Sequence, residues 1–168
     1  MAHSLAASKR LRKELQVLRK SGEDSDIVLS VDPDNLLKWR AFIKGPQDTP
    51  YESGVFELSI RCSSEYPLAP PSIKFVTRIF HPNVHFRTGD ICLDILKKEW
   101  SPAWGLQAAC RAVLALLSDP DAESPLNCDA GNMIRGNDMP AYNSMCRMYT
   151  VENAQFISWP PTVETQDN

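Results

Sequence analysis

The sequence has no apolar run long enough to span a membrane. The longest plain one, Ala112 to Leu117, falls far short of the roughly 20 residues a spanning helix requires, so direct membrane insertion is not expected. Met1 to Lys9 lacks the apolar core of a secretory signal. The cysteines (Cys62, Cys92, Cys110, Cys128 and Cys146) are odd in number, widely spread and free of any CxxC pair. That pattern points to reduced thiols in a cytosolic protein rather than to a disulfide framework. There is no excess of basic charge: Lys and Arg number 18 against 21 Asp and Glu, a net charge of −3. A protein devoted to nucleic acid shows the opposite balance, so no nucleic-acid partner is expected. Histidine is scarce, with only His3, His81 and His85, and no internal repeat or low-complexity segment breaks the chain.

The remainder is ordinary for a globular domain, with 43% hydrophobic and 23% charged residues in a chain of 168. A chain of this length buries roughly 68–70% of its unfolded surface and needs no metal or disulfide to fold. One domain over residues 1–158 is expected, with a loosely held tail of 159–168 beginning at Trp159-Pro160-Pro161. Proline is abundant, 13 in all, mostly between Pro46 and Pro125, which predicts a middle region of loops with fixed geometry.

Charge is uneven. Residues 1–20 carry six Lys or Arg and one acid, Glu14, so the rest is strongly acidic. Ser8, Leu11, Leu15 and Leu18 fall at helical spacing, with Lys9, Arg10, Arg12, Lys13, Arg19 and Lys20 in the remaining positions. This predicts an amphipathic helix with a basic outer face, and its thin apolar side suits a protein partner better than a bilayer. Four strands are predicted next, over 27–31, 37–43, 55–61 and 73–76. The second and third alternate apolar and polar residues, as half-buried strands do. Their short, turn-rich connections favour an antiparallel meander.

Regular patterning fails between Ile79 and Pro102, a length that in a compact domain signals function or disorder. The apolar Ile91, Leu93, Ile95 and Leu96 argue against disorder. Ser101 as N-cap and Pro102 as first residue predict a helix with the stripe Leu106, Ala109/Cys110, Val113/Leu114 and Leu117, closed by Asp119-Pro120. Asp129 is expected to cap a short helix ending near Gly136. Asp138 should open a last one, with the stripe Tyr142, Met145/Cys146, Tyr149 and Phe156.

Three chemistries compete for the irregular segment. A metal site from His81, His85 and Cys92 needs both rings on one helix face, which Pro82 and Gly89 oppose, and a fourth ligand is missing. A cysteine hydrolase needs a base near its thiol; no histidine follows Cys92, although one upstream leaves this open. The third is a cysteine that carries a group. Cys62, Cys110, Cys128 and Cys146 are expected to be small buried residues, whereas Cys92 stands alone in Gly89-Asp90-Ile91-Cys92-Leu93-Asp94.

His81-Pro82-Asn83, Gly89, Ile91 to Leu96 and Trp100-Ser101-Pro102 together resemble the active-site segment of ubiquitin-conjugating enzymes. Further matches run in order over about residues 5–157. They are Ser8 to Leu15, then Gly45-Pro46 with Pro50-Tyr51, Gly54 and Phe56, then Tyr66 to Pro71, and finally Asp119-Pro120 with Ser124-Pro125-Leu126. The resemblance implies an α+β fold of an N-terminal helix, a four-stranded antiparallel meander and C-terminal helices. It implies a thioester of ubiquitin on Cys92, no cofactor, and transfer to an acceptor, usually a lysine amine. Asn83 would donate to the developing oxyanion or brace the loop that does. An acid commonly precedes the Pro-Leu of the facing loop; here Ser124 holds that place, and Glu123 and Asp121 would share the positioning of the acceptor. The activating enzyme would meet Lys9, Arg10 and Lys13. A RING-type ligase would meet Leu68, which stands for a common phenylalanine, together with Ser101, Pro102 and Ala103. Phe80 replaces a common tyrosine, and the loop from Asn83 to Gly89 is one residue longer than usual. Val84 to Thr88, Trp100 to Trp104 and Asn127 to Arg135 resemble the peroxisomal members of the family in yeasts. That implies recycling of import receptors at the cytosolic face of peroxisomes, with a membrane-anchored recruiting protein. A silent relative that only binds ubiquitin or a partner, and a carrier of another small modifier, are the alternatives; having both Cys92 and Asn83 argues against the first.

Overall fold

In a computed structural model, residues 2–22, 24–91, 96–98, 100–155 and 158–161 are described. Helix α1 (Ala2–Ser21) leads into four strands, β1 (Ile27–Val31), β2 (Lys38–Lys44), β3 (Val55–Arg61) and β4 (Ser72–Phe75). These pair in sequence order, every neighbour antiparallel. Helices α2 (Leu106–Ser118), α3 (Cys128–Arg135) and α4 (Met139–Asn153) follow.

Alternation decides which side of the sheet is covered. Trp39, Ala41 and Ile43 of β2 and Phe56, Leu58 and Ile60 of β3 are buried in the main core, where Leu11 of α1 and Leu106, Cys110, Val113 and Leu117 of α2 join them. Phe42 and Val55 point to the other face and are nevertheless buried. The chain after α4 passes there: Val55 N–H donates to Ala154 O at 2.8 Å, and Lys44 Nζ lies 4.5 Å from the Trp159 ring centroid, a cation–π contact. Pro161 is buried as well. Trp159, the first residue of the expected loose tail, thus rests against Lys44 of β2. Residues 162–168 lie outside the described residues.

Strands β1 and β3 match their expected limits, and β2 and β4 each differ by one residue. Two expected caps are corrected. Helix α2 begins at Leu106, with Gly105 as an N-cap that offers no side chain, and Ser101-Pro102 instead open a turn in which Trp104 N–H donates to Ser101 O. The capping acceptor comes from far away: Glu14 Oε2 accepts the Leu106 N–H at 2.9 Å. Helix α3 is capped by Asn127, whose side chain accepts from Ala130 N–H; Asp129 sits inside its first turn, where its charge favours the positive helix end. Asp138 caps α4 as expected.

Glu14 does more than cap. Its Oε1 accepts from Tyr66 O–H at 2.6 Å and from Arg10 Nε at 2.7 Å. The Arg10 guanidinium continues to Pro102 O and Trp104 O. One carboxylate thus joins α1, the proline-rich turn before β4 and the start of α2. Gly105 leaves it room, since a Cβ there would stand 2.9 Å from Glu14 Oε2. We expect Glu14→Ala to lower the unfolding free energy in urea by about 2–4 kcal/mol, because it strands the Leu106 N–H, the Tyr66 hydroxyl and a half-buried Arg10. Glu14→Gln, which keeps one acceptor oxygen, should cost less than half as much.

Candidate active site

After β4 the chain turns back on itself. Gly89 adopts φ +72°, and a Cβ there would stand 1.9 Å from Phe75 O, so only glycine permits both the left-handed turn and the close approach. Phe75 N–H donates to Gly89 O at 2.8 Å. Lys74 pairs with Asp90 and Val84 with Ile91 as isolated antiparallel bridges. Hydrogen bonds from Lys74 and Thr88 hold the Asp90 carboxyl below its ordinary pKa. The segment leading up to Cys92 is therefore pinned to β4 through Gly89 and Asp90, and to Val84 through Ile91, which is buried. Cys92 itself lies outside the described residues.

His81, Pro82 and Asn83 are buried beside this loop. His81 Nδ1 accepts from Asn83 N–H at 3.1 Å, which places the ring proton on Nε2, donating to Leu116 O at 3.0 Å. Burial pushes the His81 pKa down to about 4. Both ring nitrogens are thus engaged in holding the backbone. The Asn83 side chain, 1% exposed, pairs with the backbone of Asp121 through both ends of its amide: Nδ2 donates to Asp121 O at 2.6 Å, and Oδ1 accepts from Asp121 N–H at 2.9 Å. Leu126 and Asn127 N–H both donate to Pro82 O, at 2.8 and 3.0 Å. The expected facing loop is thereby fastened to the His81–Asn83 segment at both ends. Asn127 Nδ2 is buried there without a hydrogen-bond partner.

Asp121, Glu123 and Ser124 are all exposed on that loop. The Asp121 carboxylate accepts from Glu123 N–H at 2.9 Å, and Arg135 Nη1 donates to Ala122 O. Among the other thiols, Cys62, Cys110 and Cys146 are buried, and desolvation pushes the first two up to about 12 and the third to about 11. Such thiols are not nucleophiles at neutral pH. The expectation that Cys128 is buried is corrected. It is exposed, because Asn127 turns inward to cap α3 and leaves the next residue facing out.

The surface residues fall into one region. Leu68 is 71% exposed, and Pro102 and Ala103 are exposed beside a half-buried Ser101, whose Oγ accepts from Ala103 N–H. Trp100 Nε1 donates to Pro67 O at 2.9 Å and so brings the two loops together. Lys9 and Lys13 are exposed on α1, whereas Arg10 is half-buried and committed to Glu14, Pro102 and Trp104. Trp100 and Glu14 were not anticipated as organisers of this surface. The one signal for Glu14 was its position as the lone acid in a basic helix.

The buried neutral His81 makes stability depend on pH. Its folded pKa lies below the unfolded value of 6.5, so the unfolded chain binds more protons between the two. The stabilisation is complete above pH 6.5 and is lost as pH falls to about 4. From this group alone we expect about 3 kcal/mol less unfolding free energy at pH 4 than at pH 7, to be measured by urea unfolding across that range.

A family model described as ubiquitin-conjugating enzyme matches residues 10–150. Protein PEROXIN-4 of Arabidopsis thaliana is 56% identical over 146 residues, 86% of this chain and 93% of the relative. The ubiquitin-conjugating enzyme E2 pex4 of Dictyostelium discoideum is 55% identical over 141 residues, 84% and 95% of the two chains. Among solved structures, the H. polymorpha ubiquitin conjugating enzyme Pex4p, in complex with the soluble domain of Pex22p, superposes with a TM-score of 0.83 at 36% identity, covering 89% of this chain and 99% of that one. A helix, a four-stranded meander and C-terminal helices built around a buried His-Pro-Asn segment agree with these likenesses along nearly the whole chain, which belongs to the ubiquitin-conjugating enzyme family.

Proposed function

We propose that this ubiquitin-conjugating enzyme accepts ubiquitin from the activating enzyme as a thioester on Cys92 and passes it to an acceptor, with or without a ligase. The observation that carries this reading is the rigid loop that joins Asn83 to the residue before Cys92: Ile91 is bridged to Val84, the residue after Asn83, and the Asn83 amide is clamped on Asp121. A thioester is already activated, so the site needs no strong base to form it. The transfer step needs the acceptor held against the carbonyl and the developing oxyanion stabilised. Asn83 serves that step chiefly by bracing the loop of Asp121, Glu123 and Ser124. Those three position the acceptor, with Ser124 contributing a hydrogen bond but no charge.

The activating enzyme meets the exposed Lys9 and Lys13, with Arg10 setting the shape of the surface beneath them. A RING-type ligase meets Leu68 with Ser101, Pro102 and Ala103, which Trp100 gathers into one surface. Residues 1–158 act as the single catalytic domain. We place the activity at the cytosolic face of peroxisomes, in the recycling of import receptors. The two relatives named for pex4 support this, as does the Pex4p relative solved with the soluble domain of Pex22p. Among the described residues no helix is long and apolar enough to cross a membrane. By analogy with the Pex4p–Pex22p complex, a membrane-anchored partner of the Pex22p kind would hold the enzyme there.

Charging with ubiquitin, activating enzyme and ATP tests the chemistry. One ubiquitin should add in a form that reductant removes. Cys92→Ala should abolish the adduct and Cys110→Ser should retain it. In single-turnover discharge to lysine, Asn83→Ala should slow transfer by about 10²-fold, as misplacement of a positioning loop does. An adduct that survives Cys92→Ala would move the site elsewhere. Gel filtration with the soluble domain of a Pex22p-type protein should give a co-eluting complex; separate elution would count against the peroxisomal assignment.

A further inference from the structure

The segment that carries His81 and Asn83 starts at Phe80, and the Phe80 carbonyl is held by a buried cluster that the steps above do not use. The Tyr51 hydroxyl donates to Phe80 O at 2.8 Å. The Cys146 thiol donates to the same oxygen at 3.2 Å. The Tyr142 hydroxyl lies 3.0 Å from that of Tyr51, and Tyr51 O lies 3.3 Å from Cys146 Sγ. All four residues are buried. One assignment of protons gives every group a partner. Tyr51 has a single proton and places it on Phe80, so Tyr142 donates to Tyr51, while Cys146 supplies the second donor to Phe80. Burial raises the pKa of both tyrosines and of Cys146, so all three keep their protons at neutral pH.

A single buried carbonyl is satisfied by one donor; this one receives two, and one of them is itself oriented by a third residue. The position matters because the Phe80 carbonyl belongs to the planar peptide unit that ends at the His81 Cα. Fixing the oxygen fixes the direction in which His81 leaves that plane. From there the His81 ring reaches Leu116 O and accepts the Asn83 N–H, and Asn83 reaches Asp121. The Tyr51 ring also packs against His81, with centroids 5.9 Å apart. Tyr142 and Cys146 come from α4, so the last helix bears on the orientation of a segment that precedes it by some sixty residues.

We infer that Tyr51, Tyr142 and Cys146 are positioning residues for ubiquitin transfer: they fix the Phe80–His81 peptide plane and act through Asn83. The inference rests on the reading that Asn83 serves the transfer step.

The test is single-turnover discharge of the preloaded enzyme to free lysine over a range of lysine concentrations, run below the measured unfolding temperature of each variant. Tyr51→Phe and Cys146→Ala are each expected to slow the maximal rate about tenfold, with the lysine concentration at half-maximum unchanged, as a small misplacement of a catalytic loop does. Cys146→Ser, which keeps a donor, should return to within about twofold of the parent. In an Asn83→Ala background neither change should slow discharge further, because the cluster acts through that residue. Parent-like rates in the folded variants, equal losses with Asn83 absent, or a Cys146→Ser variant as slow as Cys146→Ala would overturn the inference. Asn83→Ala discharging at the parent rate would instead remove the reading beneath it, and that outcome is seen in a separate variant. Where Tyr51→Phe does not fold, the comparison of Cys146→Ala with Cys146→Ser decides alone.

Discussion

Residues 80–83 run through the interior of the molecule without belonging to a strand or a helix, so their polar groups must be paired by whatever packs around them. The solutions come from four directions. Phe80 O takes donors from Tyr51 and Cys146, and His81 O takes the N–H of Val84. Pro82 O takes two N–H groups from the loop before α3. Asn83 gives its N–H to the His81 ring and its amide to Asp121. The β2–β3 connection, α2, the loop before α3, and α4 are thereby referred to one short segment. A change that loosens any of them reaches the site through a lost partner for a buried group, which costs more than an exposed contact would.

A second constraint operates at the N-terminal end of α2. The surface of Leu68 and Ser101 to Ala103 is made of loops, and loops hold shape only when their ends are tied. Glu14 and Arg10 tie them from within α1, and Trp100 ties them to the proline-rich turn. By contrast, the pair of Arg111 of α2 with Asp26 is exposed on both sides, where such pairs are worth little. The basic face of α1 thus divides by depth. Lys9 and Lys13 stand exposed, and Arg10 is spent on the shape of the surface they flank.

The sequence was most legible where one period decides the structure. Strands β1 and β3 could be read from alternation because one face of each meets the core, and the stripes of α2 and α4 from helical spacing. It was least legible where a partner lies far along the chain. Ser101-Pro102 carried every local mark of a helix start, yet the Leu106 N–H is satisfied by Glu14, 92 positions earlier, and no local rule contains that. Asp129 was the better-looking cap, but Asn127 is drawn inward by Pro82 and takes the role, which also exposes Cys128. Asn83 and Cys92 stood out by motif, whereas the pairing of Asn83 with Asp121 uses backbone groups, which leave no trace in residue identity. Tyr142 and Cys146 were visible as members of a stripe. Their hydroxyl and thiol differ from any other core filler only because a buried carbonyl happens to face them.

Burial also sorts the thiols and the histidine by a single physical rule. Taking a group out of water disfavours its charged form. The same interior therefore holds His81 neutral and keeps Cys62, Cys110 and Cys146 protonated. A neutral imidazole is what the Asn83 N–H requires as an acceptor, and protonated thiols are what a carrier requires of every cysteine that is not its nucleophile. An exposed Cys128 escapes the rule; it stands at the start of α3, next to the Asn127 that Pro82 holds in place. A thiolate that attacks an activated carbonyl has to lie outside the packed interior yet be attached to something rigid. The chain up to Ile91, fixed by β4 and Val84, supplies the second condition at the residue before Cys92, whereas Cys62, Cys110 and Cys146 fail the first.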